Sequence, residues 1–249
     1  MSRHLATTNW TLIFNAEAAT PEVRQAAMAE LCQAYWAPLF AFARRRGASH
    51  DDAADLTQSF FVHLIDKHAL RGLDRTAVRF RAYLLASFKN FEADVRDRAM
   101  ASKRGGGLFR VTFDADALER REESFAHDVD PERLYARRWA MTLLDRARER
   151  VRVAYASSGK AAEFAILSPL AMSKPHSPAD VARSLRLSDG AARVALYRLR
   201  RRFGAAVRAE VEATVSDPDE VASELRFLLS VLAEAGEIAG GNDAAQGQT

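Results

Sequence analysis

Apolar residues in this chain recur at spacings of three and four and almost never alternate. That rhythm puts them on one side of an α-helix, whereas a half-buried strand needs a period of two. The single strand-like scrap is Arg-Val-Thr-Phe at 110–113, too short to begin a sheet. Ala, Leu, Arg and Glu dominate the periodic stretches, and all are good helix formers. The fold class expected is therefore all-α.

Breaks in the rhythm divide the chain. Gly105, Gly106 and Gly107 follow Lys103 and Arg104, and three successive glycines are costly to order in a helix. A weakly periodic acidic stretch continues to about Asp130. The expected layout is a helical domain at 1–101, a flexible acidic linker at 102–130, a second helical domain at 131–207, and a C-terminal amphipathic helix and tail at 208–249.

In the first domain one helix is expected over 21–46. Pro21 suits its first turn, Gly47 its stop, and Pro38 predicts a break or kink near Trp36. Its stripe is Met28, Leu31, Cys32, Tyr35, Leu39 and Phe42. A second helix starts after the N-cap candidate Ser49, with Ala53, Leu56, Phe60, Phe61, Leu64 and Ile65 inward. A third covers 80–100 on Tyr83, Leu84, Phe88, Phe91 and Val95. Later helices are expected over 132–155, 160–172 and 218–235, the last facing inward through Val221, Leu225, Leu228, Leu229 and Leu232.

Charge is segregated. The net charge is only +3, yet 71–110 carries ten basic against four acidic residues and 181–208 eight against one. Residues 209–249 carry nine acidic against one basic. Two basic blocks, separated by an acidic one, suit two contacts with a polyanion. No run of ~18 apolar residues could span a membrane, and no signal-like segment opens the chain. With Cys32 the single cysteine, neither an internal disulfide nor a multi-cysteine zinc site is possible. A cytoplasmic protein without membrane contact is expected.

Catalytic constellations are missing from the sequence. The six histidines are scattered, and no HExxH, P-loop or GxSxG occurs. Asp51, Asp52 and Asp55 are read as acids at a helix start rather than as cation ligands. No enzymatic activity, cofactor or metal is expected.

Residues 178–203 read as a helix-turn-helix. Val181, Ala182 and Leu185 face inward on the first helix, and Leu187 is expected to plug the turn. Ser188 caps the second helix, whose buried stripe is Ala192, Leu196, Leu199 and Phe203. The opposite face carries Gly190, Arg193, Val194, Tyr197, Arg198 and Arg201. Guanidinium groups on such a helix suit guanine edges and phosphates of the major groove, with Arg200 and Arg202 flanking.

The stretches DDAADLTQSFFVHLIDK at 51–67 and RFRAYLLASFKNFEADVRDR at 79–98, with 178–203, resemble sigma-70 family RNA polymerase sigma factors of the extracytoplasmic-function type. The resemblance covers about residues 20–205. It implies a region 2-like domain that binds core RNA polymerase through Asp55, Leu56, Gln58 and Phe61. It implies contacts to single-stranded non-template DNA of the −10 element through Arg75, Arg79, Arg81, Lys89, Asn90, Arg96 and Arg98. It implies a region 4-like domain reading duplex −35 DNA through Ser188, Gly190, Arg193, Val194, Tyr197, Arg198 and Arg201. Ser59 replaces a usual acid, Tyr83 a usual tryptophan, Arg186 a common glycine and Ala195 a frequent basic residue. Core RNA polymerase and promoter DNA are the implied partners, and an anti-sigma factor is a possible third. The alternative is a helix-turn-helix regulator that binds duplex DNA without polymerase.

Overall fold

The computed structural model describes residues 21–66, 79–101, 130–172, 178–215 and 217–245. The expected linker at 102–130 thus falls outside the described residues, save Asp130. Among those described there are eight α-helices, one short 3-10 turn and no strand. The helices are α1 (Pro21–Arg45), α2 (His50–Asp66), α3 (Phe80–Ala101), α4 (Pro131–Ser157), α5 (Ala161–Met172), α6 (Pro178–Leu185), α7 (Asp189–Glu212) and α8 (Val221–Ala245), with the 3-10 turn at Pro218–Glu220.

The chain forms two compact units. One comprises Met1–Thr142 and Glu212–Thr249, the other Leu143–Val211. The divisions fall inside α4 and near the end of α7, away from the 131 and 207 read from sequence. Packing explains the first of them. Tyr135 and Trp139 on the first turns of α4 belong to an aromatic core with α1 and α3, whereas Ala147, Val151 and Tyr155 further along belong to another core.

The core of the first unit is built from rings. Tyr35 stacks on Trp139 with centroids 4.2 Å apart. Phe88 meets Phe60 at 5.1 Å and Phe42 at 6.1 Å, both edge to face. Each such ring, fully buried, contributes about 1.5–3 kcal/mol. Burial also pushes the Tyr135 hydroxyl well above its ordinary pKa, and that hydroxyl donates a 3.0 Å hydrogen bond to the Arg81 carbonyl. Of the break or kink expected near Trp36, the break does not occur: α1 runs uninterrupted through Pro38. Residues Leu39, Phe40, Ala41, Phe42 and Ala43 are all buried, so packing offsets the ~3 kcal/mol an interior proline costs.

Local signals set the helix ends. The Ser49 hydroxyl accepts from the Asp52 amide at 3.1 Å and donates to the Asp52 carboxylate at 2.6 Å, capping α2. Gly47 closes α1 in the left-handed region, φ 96°, where the Gly47 amide bonds the Arg44 carbonyl and the Ala48 amide the Ala43 carbonyl.

In the second unit, Phe164 and Leu167 of α5, Val181 and Ala182 of α6, and Ala192, Leu196, Leu199 and Ala206 of α7 complete the core with α4. The buried carboxylate of Glu210 is held by Arg146 at 3.0 Å and Arg150 at 2.9 Å.

Candidate nucleic-acid interface

The α6–α7 hairpin is assembled by sequence-local devices. After Leu185 the chain turns through Arg186 at φ 54°, the single described non-glycine residue with positive φ. The Leu187 amide bonds the Ala182 carbonyl at 2.9 Å, and the Arg186 amide bonds Arg183 at 3.4 Å. This is the pattern that closes α1 at Gly47, with arginine where glycine is favoured. The Ser188 hydroxyl then accepts from the Ala191 amide at 3.3 Å and caps α7. Leu187 does not plug the turn: it is 42% exposed, and Leu185 packs against the core instead.

Burial of Ala192, Leu196 and Leu199 fixes the rotation of α7. Gly190, Arg193, Val194, Tyr197, Arg198 and Arg201 are thereby exposed together, as the sequence predicted, and the cap Ser188 is exposed beside them. Tyr197 is 64% and Val194 46% exposed. Among the described residues, Arg193, Arg198, Arg200 and Arg201 have no acidic partner. Arg202 lies 5.1 Å over the Tyr155 ring.

The basic residues of α3, and Arg79 just before it, are placed otherwise. Arg79 bonds the Glu224 carboxylate at 3.0 Å, the Ser223 hydroxyl at 2.9 Å and Glu220 at 3.5 Å. Arg81 bonds the same Glu224 at 2.9 Å, with its guanidinium 4.4 Å over the Phe227 ring. Glu224 is 1% exposed and Arg81 13%. Lys89 pairs with Glu132, Arg96 with Glu92 at 2.7 Å and Arg98 with Asp94 at 3.8 Å. Asn90 is exposed on α3. Arg75 lies outside the described residues.

Sequence reasoning missed Glu220 and Glu224. An acidic C-terminal stretch was visible, but a carboxylate inside an apolar stripe is recognised only with its partners, and Arg81 is 143 positions away. Leu229, expected inward on α8, is exposed, while Glu224 and Val231 are buried.

The four residues implied for polymerase contact separate. Asp55 is exposed, Leu56 and Gln58 are half-buried, and Phe61 is buried in the first unit's core. Phe61 therefore helps set the rotation of α2. Asp55, Leu56 and Ser59 line an open groove of about 630 Å³ between α2 and α3. Val62, Phe91 and Val95 form its apolar floor, Asp52 and Asp55 lie along α2, and Arg96 and Arg98 along α3. No helix among the described residues is long and apolar enough to cross a membrane, and no group of three or more metal-ligating side chains occurs there. No family model, curated protein or solved structure matches the chain.

Proposed function

We propose that this chain is a promoter-recognising subunit of the sigma type, which binds core RNA polymerase and directs it to promoter DNA. The observation that carries the DNA-binding part is the face of α7. Arg193, Arg198 and Arg201 on that face lack acidic partners among the described residues, and the helix is capped by Ser188 and packed through Ala192, Leu196 and Leu199, which leaves that face open. Unpartnered guanidinium groups on an exposed helix are ready to bond phosphates and base edges without first breaking an ion pair. The polymerase part draws support from the α2–α3 groove, where Asp55 and Leu56 stand at an open apolar cleft of a size to take one face of a partner helix.

A second reading, a duplex-binding regulator without polymerase, is favoured by one specific observation. Arg79, Arg81 and Lys89 are engaged by the chain's own carboxylates, so a single-strand contact at α3 would have to displace them. The deciding experiment measures binding of the full chain to core RNA polymerase, then transcription from a promoter library. For the sigma reading, Leu56→Glu abolishes polymerase binding while duplex binding persists, and Arg198→Ala weakens duplex binding while polymerase binding persists. Duplex binding with no polymerase binding by the wild type selects the regulator.

A further inference from the structure

The proposed major-groove contact has a feature that phosphate attraction does not explain. At about 100° per residue, Arg193 and Arg198 stand on the two edges of the exposed face of α7. Gly190, Val194, Tyr197 and Arg201 run along its middle. Val194 and Tyr197 are neighbours at i and i+3, about 4.5 Å apart along the axis. They make an apolar strip in the centre of an arginine-edged face, and both remain open to solvent. Nothing in the second unit's own packing needs them there, since its core draws on Ala192, Leu196 and Leu199 from the opposite side. Gly190 leaves the N-terminal end of the strip bare, and a Cβ at that position would meet open space.

A helix seated in the major groove points the middle of its face at base edges and its borders at the two walls. The apolar group that base edges offer in that groove is the C5-methyl of thymine. We infer that Val194 and Tyr197 read thymine methyl groups, so that the site contains A·T pairs at the centre of the α7 footprint, flanked by contacts from Arg193 and Arg198. The inference rests on the proposed seating of α7 in duplex DNA and adds to it a base chemistry and the residues that carry it.

The test uses the full chain and duplexes selected from a random library. Each thymine of a selected duplex is replaced in turn by deoxyuridine, which removes the methyl and leaves base pairing intact. At one or two adjacent positions the replacement should weaken binding about fourfold, the worth of one buried methyl at ~0.8 kcal/mol. In Val194→Ala or Tyr197→Ala that penalty should vanish at the position the lost side chain reads. Both residues are exposed, so the variants keep the fold, and thermal unfolding checks this. If no thymine is sensitive, or if sensitivity survives in both variants, the inference fails while the DNA-binding reading stands. If selection returns no preferred duplex at all, the seating of α7 falls and the inference with it.

Discussion

Arg186 shows how one residue records a conflict between local geometry and composition. Three helix ends share one hydrogen-bond pattern, closing through Gly47 at φ 96°, Gly159 at φ 72° and Arg186 at φ 54°. An L-residue with a Cβ is strained in the left-handed region, so arginine there costs about 1 kcal/mol against glycine. Arg186→Gly should therefore raise stability by up to about 1 kcal/mol, read as a higher urea midpoint with an unchanged slope. Cys32 gives a prediction of the opposite kind. Burial pushes its thiol up to about 11. The thiolate is the nucleophile, so alkylation at pH 8 should be far slower than for a free cysteine and should climb only as pH nears 11. The sign for stability follows: the folded thiol binds its proton more tightly than the unfolded one at 9.0. That contribution is whole below pH 9 and is lost as pH rises through 11.

At the scale of elements, α7 separates stability from binding. Gly204 lies inside α7, and a Cβ there would meet open space. Gly204→Ala should stabilise the second unit by about 0.5–1 kcal/mol, read as a higher thermal midpoint. Arg198→Ala should leave thermal unfolding in place and weaken duplex binding, reducing the salt slope by about 1 if it contacts phosphate. Helix existence was legible in the sequence because it depends on spacing and caps: Ser49 and Ser188 act as read. The rotation of α7 was legible too, since Ala192, Leu196 and Leu199 keep one phase. Features that depend on a distant segment were not legible. Pro38 reads as a break or kink until the aromatic core around it is known, and Leu187 as a plug until Leu185 is seen to pack against the core in its place. Glu224 is buried through two arginines that no local pattern connects to it.

For the molecule as a whole, the segregated charge acts through pairing within each unit as much as through surface potential. In the first unit, acids of the C-terminal stretch engage basic residues from earlier in the chain: Glu220 and Glu224 at Arg79, Glu224 at Arg81, and Glu234 at Arg133. With Val221, Leu228 and Val231 buried, this makes α8 a structural part of that unit rather than a loose tail. Glu224→Ala should cost about 3–5 kcal/mol, because it leaves the Arg79 and Arg81 charges without their shared carboxylate in a largely desolvated place. Limited proteolysis should then cleave first within 21–142, while Leu143–Val211 stays protected, since the Glu210 cluster and the second core are untouched. The Arg79→Leu, Arg81→Leu, Glu224→Leu triple variant removes both signs together and should recover most of that loss, as buried ion pairs replaced by apolar groups often do. The same triple variant separates the two functional readings. A sigma factor that needs Arg79 and Arg81 for single-stranded DNA should bind polymerase and duplex yet fail to open a promoter. A duplex-binding regulator should be unaffected, because its DNA contacts lie on α7.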